Sequence, residues 1–133
     1  MVKKITLQNV TKIYGSNPQR RALEMVRDGV PKDEIFRQTN HVVGLNNVSF
    51  EVEEGEIFVV MGLSGSGKST LIRCVNRLIK VTDGEIFVDD TDITKLKKPA
   101  LRQLRRDRLA MVFQHFGLFP HRTIIENAGY GLK

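Results

Sequence analysis

Only one cysteine, Cys74, stands among the 133 residues, so no internal disulfide framework can staple this chain, and a reducing compartment is expected. No run of about 18 apolar residues occurs, which leaves no candidate for a helix crossing a bilayer. The opening Met1-Val2-Lys3-Lys4-Ile5-Thr6 moves straight into alternation and lacks the apolar block of a signal peptide. Acidic residues are in deficit, and the formal net charge is +6. That excess is local. Lys95 to Arg108 holds seven basic residues against Asp107, and elsewhere fourteen of each sign balance. Such a run is ordinarily the solvated face of a helix. The remaining composition, 41% apolar and 27% charged, is that of a globular domain, and the length allows one core.

What the chain does contain is Gly62-Leu63-Ser64-Gly65-Ser66-Gly67-Lys68-Ser69-Thr70, a glycine, four residues, then Gly-Lys-Ser. The apolar, β-branched run Glu56 to Met61 precedes it and reads as a buried strand. Thr70 to Ile79 follows with apolar residues at helical spacing. Strand, glycine loop, helix is the context in which this motif has chemical meaning. Glycines 62, 65 and 67 lack a β-carbon, so the backbone can turn tightly and aim successive N–H groups into one concavity. The concavity sits on a helix N-terminus, where unpaired N–H groups and the helix dipole favour anionic oxygens. Lys68 would place its charge on terminal phosphates, Ser69 would offer its hydroxyl to Mg²⁺, and Ser66 and Thr70 would donate to phosphate. The pattern implies a chain that binds a nucleoside triphosphate. A flexible Gly/Ser turn with a chance lysine is the plainer alternative, and the flanks speak against it. Cys74, on the helix behind the loop, reads as a small packing residue rather than a nucleophile.

Elsewhere the chain alternates. Lys3 to Val10 and Gly44 to Val52, where Val48, Phe50 and Val52 alternate, read as half-buried strands before the loop, predicting an antiparallel β-layer beside a parallel core. Tyr14 stands beyond the first of them, just before the turn at Gly15; it is either an ordinary strand-end aromatic or a flat surface for a purine ring. Residues 16–43 change character. Gln19 to Asp28 carries an apolar helical face that Gly29 can stop, and Pro31 opens a second piece through Gln38. This helical hairpin is either a docking surface or a locally packed surface insertion. Glu85 to Asp89 reads as another strand, and Asp90-Thr91-Asp92 as turn chemistry rather than a metal site. A helix is predicted from about Pro99 to Asp107 with Leu101 and Leu104 inward, then a buried strand Leu109 to Phe113 with Gln114 just after it. Thr123-Ile124-Ile125-Glu126 is a capping box opening a last helix.

Taken together these residues resemble the first part of an ATP-binding-cassette (ABC) ATPase, the motor subunit of a membrane transporter. Tyr14, the loop from Gly62 to Thr70, Met111-Val112-Phe113-Gln114 and Leu118-Phe119-Pro120-His121 carry the resemblance, which covers essentially the whole chain. It implies an α/β P-loop NTPase fold: a partial ABC ATPase core with an antiparallel β-layer, a helical insertion at 16–43, and at 114–133 a glutamine loop with the start of a helical subdomain. It implies ATP and Mg²⁺ as cofactors. Tyr14 would stack on adenine; Gly62, Ser64, Gly65, Ser66, Gly67, Lys68, Ser69 and Thr70 would hold the nucleotide; Lys68 and Gln114 would serve hydrolysis. Ser69 and Gln114 would reach the Mg²⁺. Implied partners are a transmembrane permease, a second ATPase subunit in a homodimer and, indirectly, a substrate-binding protein, at the cytoplasmic face of the plasma membrane. The insertion beginning Asn17-Pro18-Gln19-Arg20, together with Met61 to Thr70 and Asn76-Arg77-Leu78-Ile79, is similar to the ATPases of glycine betaine/proline importers.

The family's signature Ser-Gly-Gly, its apolar strand ending in Asp-Glu and its switch histidine do not follow Gln114, so an N-terminal fragment is expected. Two other readings compete with a transport-coupled ATPase. One is a binding module without turnover that holds nucleotide weakly or not at all, because the water-polarising carboxylate and the strands that should flank Ile57 to Met61 are missing, and an unpaired edge there would expose a long hydrophobic row. The other is a P-loop ATPase acting on nucleic acid through Lys95 to Arg108, which lacks the interleaved aromatics that stack on bases. The resemblance implies no nucleic-acid partner.

Overall fold

The computed structural model describes residues 2–18 and 20–132. Gln19, expected to open the first helical piece, lies outside the described residues, as do Met1 and Lys133. The chain forms two compact units, residues 1–96 and 97–133.

The first unit is built on four antiparallel strands. β1 (Lys3–Tyr14) lies between β2 (Val42–Glu53) and β3 (Asp83–Val88), and β4 (Thr91–Asp92) pairs with β3. This is the antiparallel layer that the alternation predicts. β1 runs past the expected end at Val10 to Tyr14, because a bulge absorbs the break in its pattern. Asn9 and Asn47 both adopt left-handed φ (51° and 52°) where register shifts between β1 and β2, and the Asn9 amide donates to Asn47 Oδ1 at 2.9 Å. Asparagine tolerates that conformation better than other L-residues, so the pair fixes the bulge without a glycine.

Leu7, Val10, Ile86, Val88 and Ile93 are buried in this unit. α3 (Lys68–Val75) is shorter than the expected span to Ile79 and buries Leu71 and Cys74. A second apolar cluster joins β1 to the helical pair α1 (Arg21–Arg27) and α2 (Lys32–Thr39): Ile13, Ala22, Leu23, Val26 and Ile35. Gly29 takes a left-handed φ of 75° just past α1, as a helix stop should. Pro31 caps α2 from outside, with φ −58° and ψ 141°, rather than sitting in its first turn. Arg27 further ties the pair to β3 through Asp83 at 2.7 Å.

Two expected strands do not form. Glu56–Met61 is extended but joins no ladder, since among the described residues no strand runs beside it. Phe58 stacks on Phe50 of β2 with centroids 4.6 Å apart, while Ile57, Val59 and Met61 on the other side stay 90%, 67% and 87% exposed. Leu109–Phe113 is likewise unpaired, with Val112 96% exposed. A strand's hydrogen bonds come from its neighbours, so an apolar run alone does not make one.

In the second unit, α4 (Lys98–Arg108) matches its predicted span within a residue, with Pro99 in the first turn and Leu101 buried. α5 (Ile124–Ala128) begins with the full capping box: Glu126 N–H donates to Thr123 Oγ1 and Thr123 N–H donates to Glu126 Oε2 at 2.8 Å. The hydrogen bonds from the Thr123 backbone and hydroxyl hold the Glu126 carboxyl below its ordinary range.

Candidate functional site

The glycine loop leaves the extended run at Gly62, bends through Ser64 to Gly67, and enters α3 at Lys68. Its tightest point is Gly67, the N-cap of α3, with φ 97°. A β-carbon there would stand 2.5 Å from the Gly44 carbonyl oxygen of β2, so only glycine lets the loop lie against that strand. At Gly62 a β-carbon would fall 2.6 Å from Ser66 Oγ and 3.9 Å from Lys68 Cδ, inside the cup formed by the loop and the lysine.

The cup has one sign of charge. The Lys68 ammonium reaches back over the loop and donates to the Gly62 and Leu63 carbonyls, each at 2.6 Å, and to Ser66 Oγ at 3.3 Å. No side chain caps the N-terminus of α3, and its first turn carries no acidic residue. The first backbone N–H groups of any helix lack intrahelical acceptors, so here they point at a site that already holds a cation. Exposed hydroxyls at Ser64, Ser66 and Ser69 surround it. An anion with several oxygens satisfies such a donor set.

Tyr14 is brought to the same place. Its hydroxyl hydrogen-bonds Thr70 Oγ1 at 3.0 Å, and its ring lies so close to Gly44 that a β-carbon there would be 2.9 Å from Cε2. The Lys12 ammonium stands over the ring, 5.0 Å from its centroid. A half-exposed aromatic therefore sits beside the first turn of α3. Gly44 and Lys12 were not singled out by sequence reasoning. The signal for Gly44 was present, since a glycine inside a strand marks close approach of another group.

Gln114 belongs to the second unit, on an exposed bend after Phe113. The segment beyond it is organised by Asn127, which the sequence reading passed over. Asn127 Oδ1 accepts from Phe119 N–H at 2.8 Å, and its amide donates to the carbonyls of Phe119, Arg122 and Thr123. Phe119 packs against Tyr130 and His121, with Arg122 over both Phe119 and Tyr130.

The Ser69 hydroxyl is exposed in the first turn of α3. No group of three or more His, Cys, Asp or Glu residues able to hold a metal occurs among the described residues. Asp92, one of the aspartates of the 90–92 turn, is occupied otherwise. It accepts from the Thr94 N–H and hydroxyl at 2.9 and 2.6 Å and pairs with Lys95 at 2.8 Å.

Glycine cup, returning lysine and uncapped helix together have the form of a P-loop. More narrowly, this chain belongs to the ABC transporter family, whose model matches residues 45–132. It is 52% identical over 130 residues to the glycine betaine transport ATP-binding protein of Bacillus subtilis (strain 168), covering 98% of this chain and 31% of that protein. It is 45% identical over 133 residues to the glycine betaine/proline betaine transport system ATP-binding protein of Escherichia coli (strain K12), covering 100% of this chain and 33% of that one. The chain thus spans about a third of the length of these relatives. Among solved structures, an ATP-binding cassette captured as a dimer in a post-hydrolysis state with ADP and Pi superimposes with a TM-score of 0.76 at 33% identity, over 96% of this chain and 46% of that one. No helix among the described residues is long and apolar enough to cross a membrane.

Proposed function

We propose that this chain supplies the nucleotide-gripping part of the ATPase subunit of an importer for glycine betaine/proline-type osmoprotectants. The observation that carries this reading is the Lys68 ammonium drawn over the loop onto two carbonyls, directly above an uncapped helix start. An arriving polyphosphate offers that ammonium better partners than neutral carbonyls, because hydrogen bonds between two ionised groups are the stronger kind. Lys68 then binds the terminal phosphates, the amides from Gly62, Ser64, Gly65, Ser66 and Gly67 cradle them, and Thr70 donates to the same anion. Ser69 would hold Mg²⁺, which would supply neutralising charge to the phosphates. Tyr14 presents its ring to adenine and stays aligned through its bond to Thr70. Gln114 serves the Mg²⁺ and water region and ties it to the permease, and a second ATPase subunit completes the site. Support for that assembly and for a place at the cytoplasmic membrane face comes from the named activities of the relatives. Replacing Lys68 with alanine in the full-length subunit is expected to abolish ATP-dependent uptake; unchanged uptake would refute the role given to Lys68.

A second reading is favoured for the 133 residues by themselves: nucleotide binding without turnover. Its observation is the donor set, which contains an ammonium and hydroxyls but no acidic residue in the first turn of α3 to orient water. Phosphate release from the purified chain above background would eliminate it.

A further inference from the structure

We infer that the helical pair between β1 and β2 forms the outer wall of the nucleotide site and receives the base-and-ribose end of the nucleotide. This rests on the reading above that the loop holds the phosphates. A cavity of about 470 Å³ lies between α2 and the start of β2, and its lining includes Phe36 and Val42 together with Gly65 of the phosphate loop. That volume falls within the range of small-molecule sites, about 300–1,000 Å³.

Three observations select its occupant. First, Val42 is the register partner of Tyr14 across the β1–β2 pair, so their side chains leave the same face of the sheet. A base lying on Tyr14 therefore has Val42 as its neighbour and α2 beyond it. Second, Phe36 and Val42 are 49% and 51% exposed, large apolar groups at the margin of an open cavity. The preceding Ile35, buried with Ile13, Leu23 and Val26, anchors the helix that carries Phe36. Third, the charges around the cavity are mixed. Lys32 and Asp33 stand together in the lining, and Arg37 is bound to Glu34 at 2.8 Å. The Asp33 carboxylate can accept from ribose hydroxyls or an exocyclic amine, donors that a bare phosphate tail lacks. The phosphate end belongs on the loop and the nucleoside end in this cavity.

Titration calorimetry of the 133-residue chain with ATP and with inorganic tripolyphosphate, which has no base, tests the assignment. The parent should bind ATP more tightly than tripolyphosphate. Phe36→Ser and Val42→Ser should each lose about five- to tenfold in ATP affinity, the worth of half an aromatic or aliphatic contact, with tripolyphosphate affinity unchanged. Far-UV circular dichroism and urea midpoints establish that each variant is folded, and Phe36→Leu, which keeps an apolar contact, should retain most of the affinity. A loss confined to ATP in either folded variant supports the inference. Parent-like ATP binding in both, equal losses for the two probes, or a parent that prefers tripolyphosphate overturns it while leaving the phosphate loop intact. A parent that binds neither probe refutes the nucleotide reading and this inference with it.

Discussion

Gly67→Ala separates two physical costs that the loop combines. Gly67 has φ 97°, and a side chain in left-handed backbone costs about 1–2 kcal/mol. Its new β-carbon would also stand 2.5 Å from the Gly44 carbonyl oxygen, where ordinary contact begins at 3.4 Å. Relieving that overlap means moving the loop off β2, at about 1–3 kcal/mol for forced overpacking. The sum is about 2–5 kcal/mol. Gly65→Ala is the internal control: its φ of 76° carries the strain, but a β-carbon there meets nothing within 4 Å, so about 1–2 kcal/mol is expected. Urea unfolding followed by circular dichroism reads both differences at constant m. ATP titration should show the larger binding loss for Gly67→Ala, because the displaced loop no longer converges its amides. Equal destabilisation by the two substitutions would refute the steric argument, and no destabilisation by either would refute the loop geometry.

Tyr14→Phe removes the hydroxyl that meets Thr70 at 3.0 Å but keeps the ring, so ATP binding should weaken by only about 0.5–1.5 kcal/mol, whereas Tyr14→Ala should cost more; calorimetry on both checks the order. Cys74 is 1% exposed and burial pushes its thiol up, so it should react with a disulfide reagent only as fast as the chain opens; prompt labelling of the folded chain would contradict its place in the core. Burial pushes the Asp92 carboxyl up, but bonds from Lys95 and Thr94 outweigh it and hold it below the ordinary aspartate range. A depressed carboxyl contributes stability above its unfolded pKa and loses it as pH falls through the folded value. Melting temperature should therefore drop on the acid side, below about pH 4, and Asp92→Asn should flatten that drop; an unchanged acid limb would remove the assigned role.

The features legible in the sequence were those whose cause is local. Thr123 and Glu126 reach each other within one helical turn, α4 announces itself by Pro99 and its leucines, and the phosphate loop is defined by glycine spacing. The features that were not legible depend on neighbours. Residues 56–61 and 109–113 have the composition of buried strands, yet pairing partners decide whether such runs join a sheet. β1 outran its predicted end because Asn9 and Asn47, distant in sequence, meet across a bulge. Of the site, the cup could be read from the motif. The approach of Tyr14 to Thr70 and the position of Phe36 needed the β1–β2 register, which no periodicity specifies. Asn127 was missed because four bonds converge on one ordinary helical asparagine.

The bare side of the extended run before the loop has a colloidal consequence. Ile57, Val59 and Met61 stand in a row along main chain that no ladder occupies, which is the kind of surface that adheres to its own copies and to chaperone holdases. Preparations of this chain should cloud as they are concentrated and clear with mild detergent. The titrations above belong at low micromolar protein, where two such rows seldom meet.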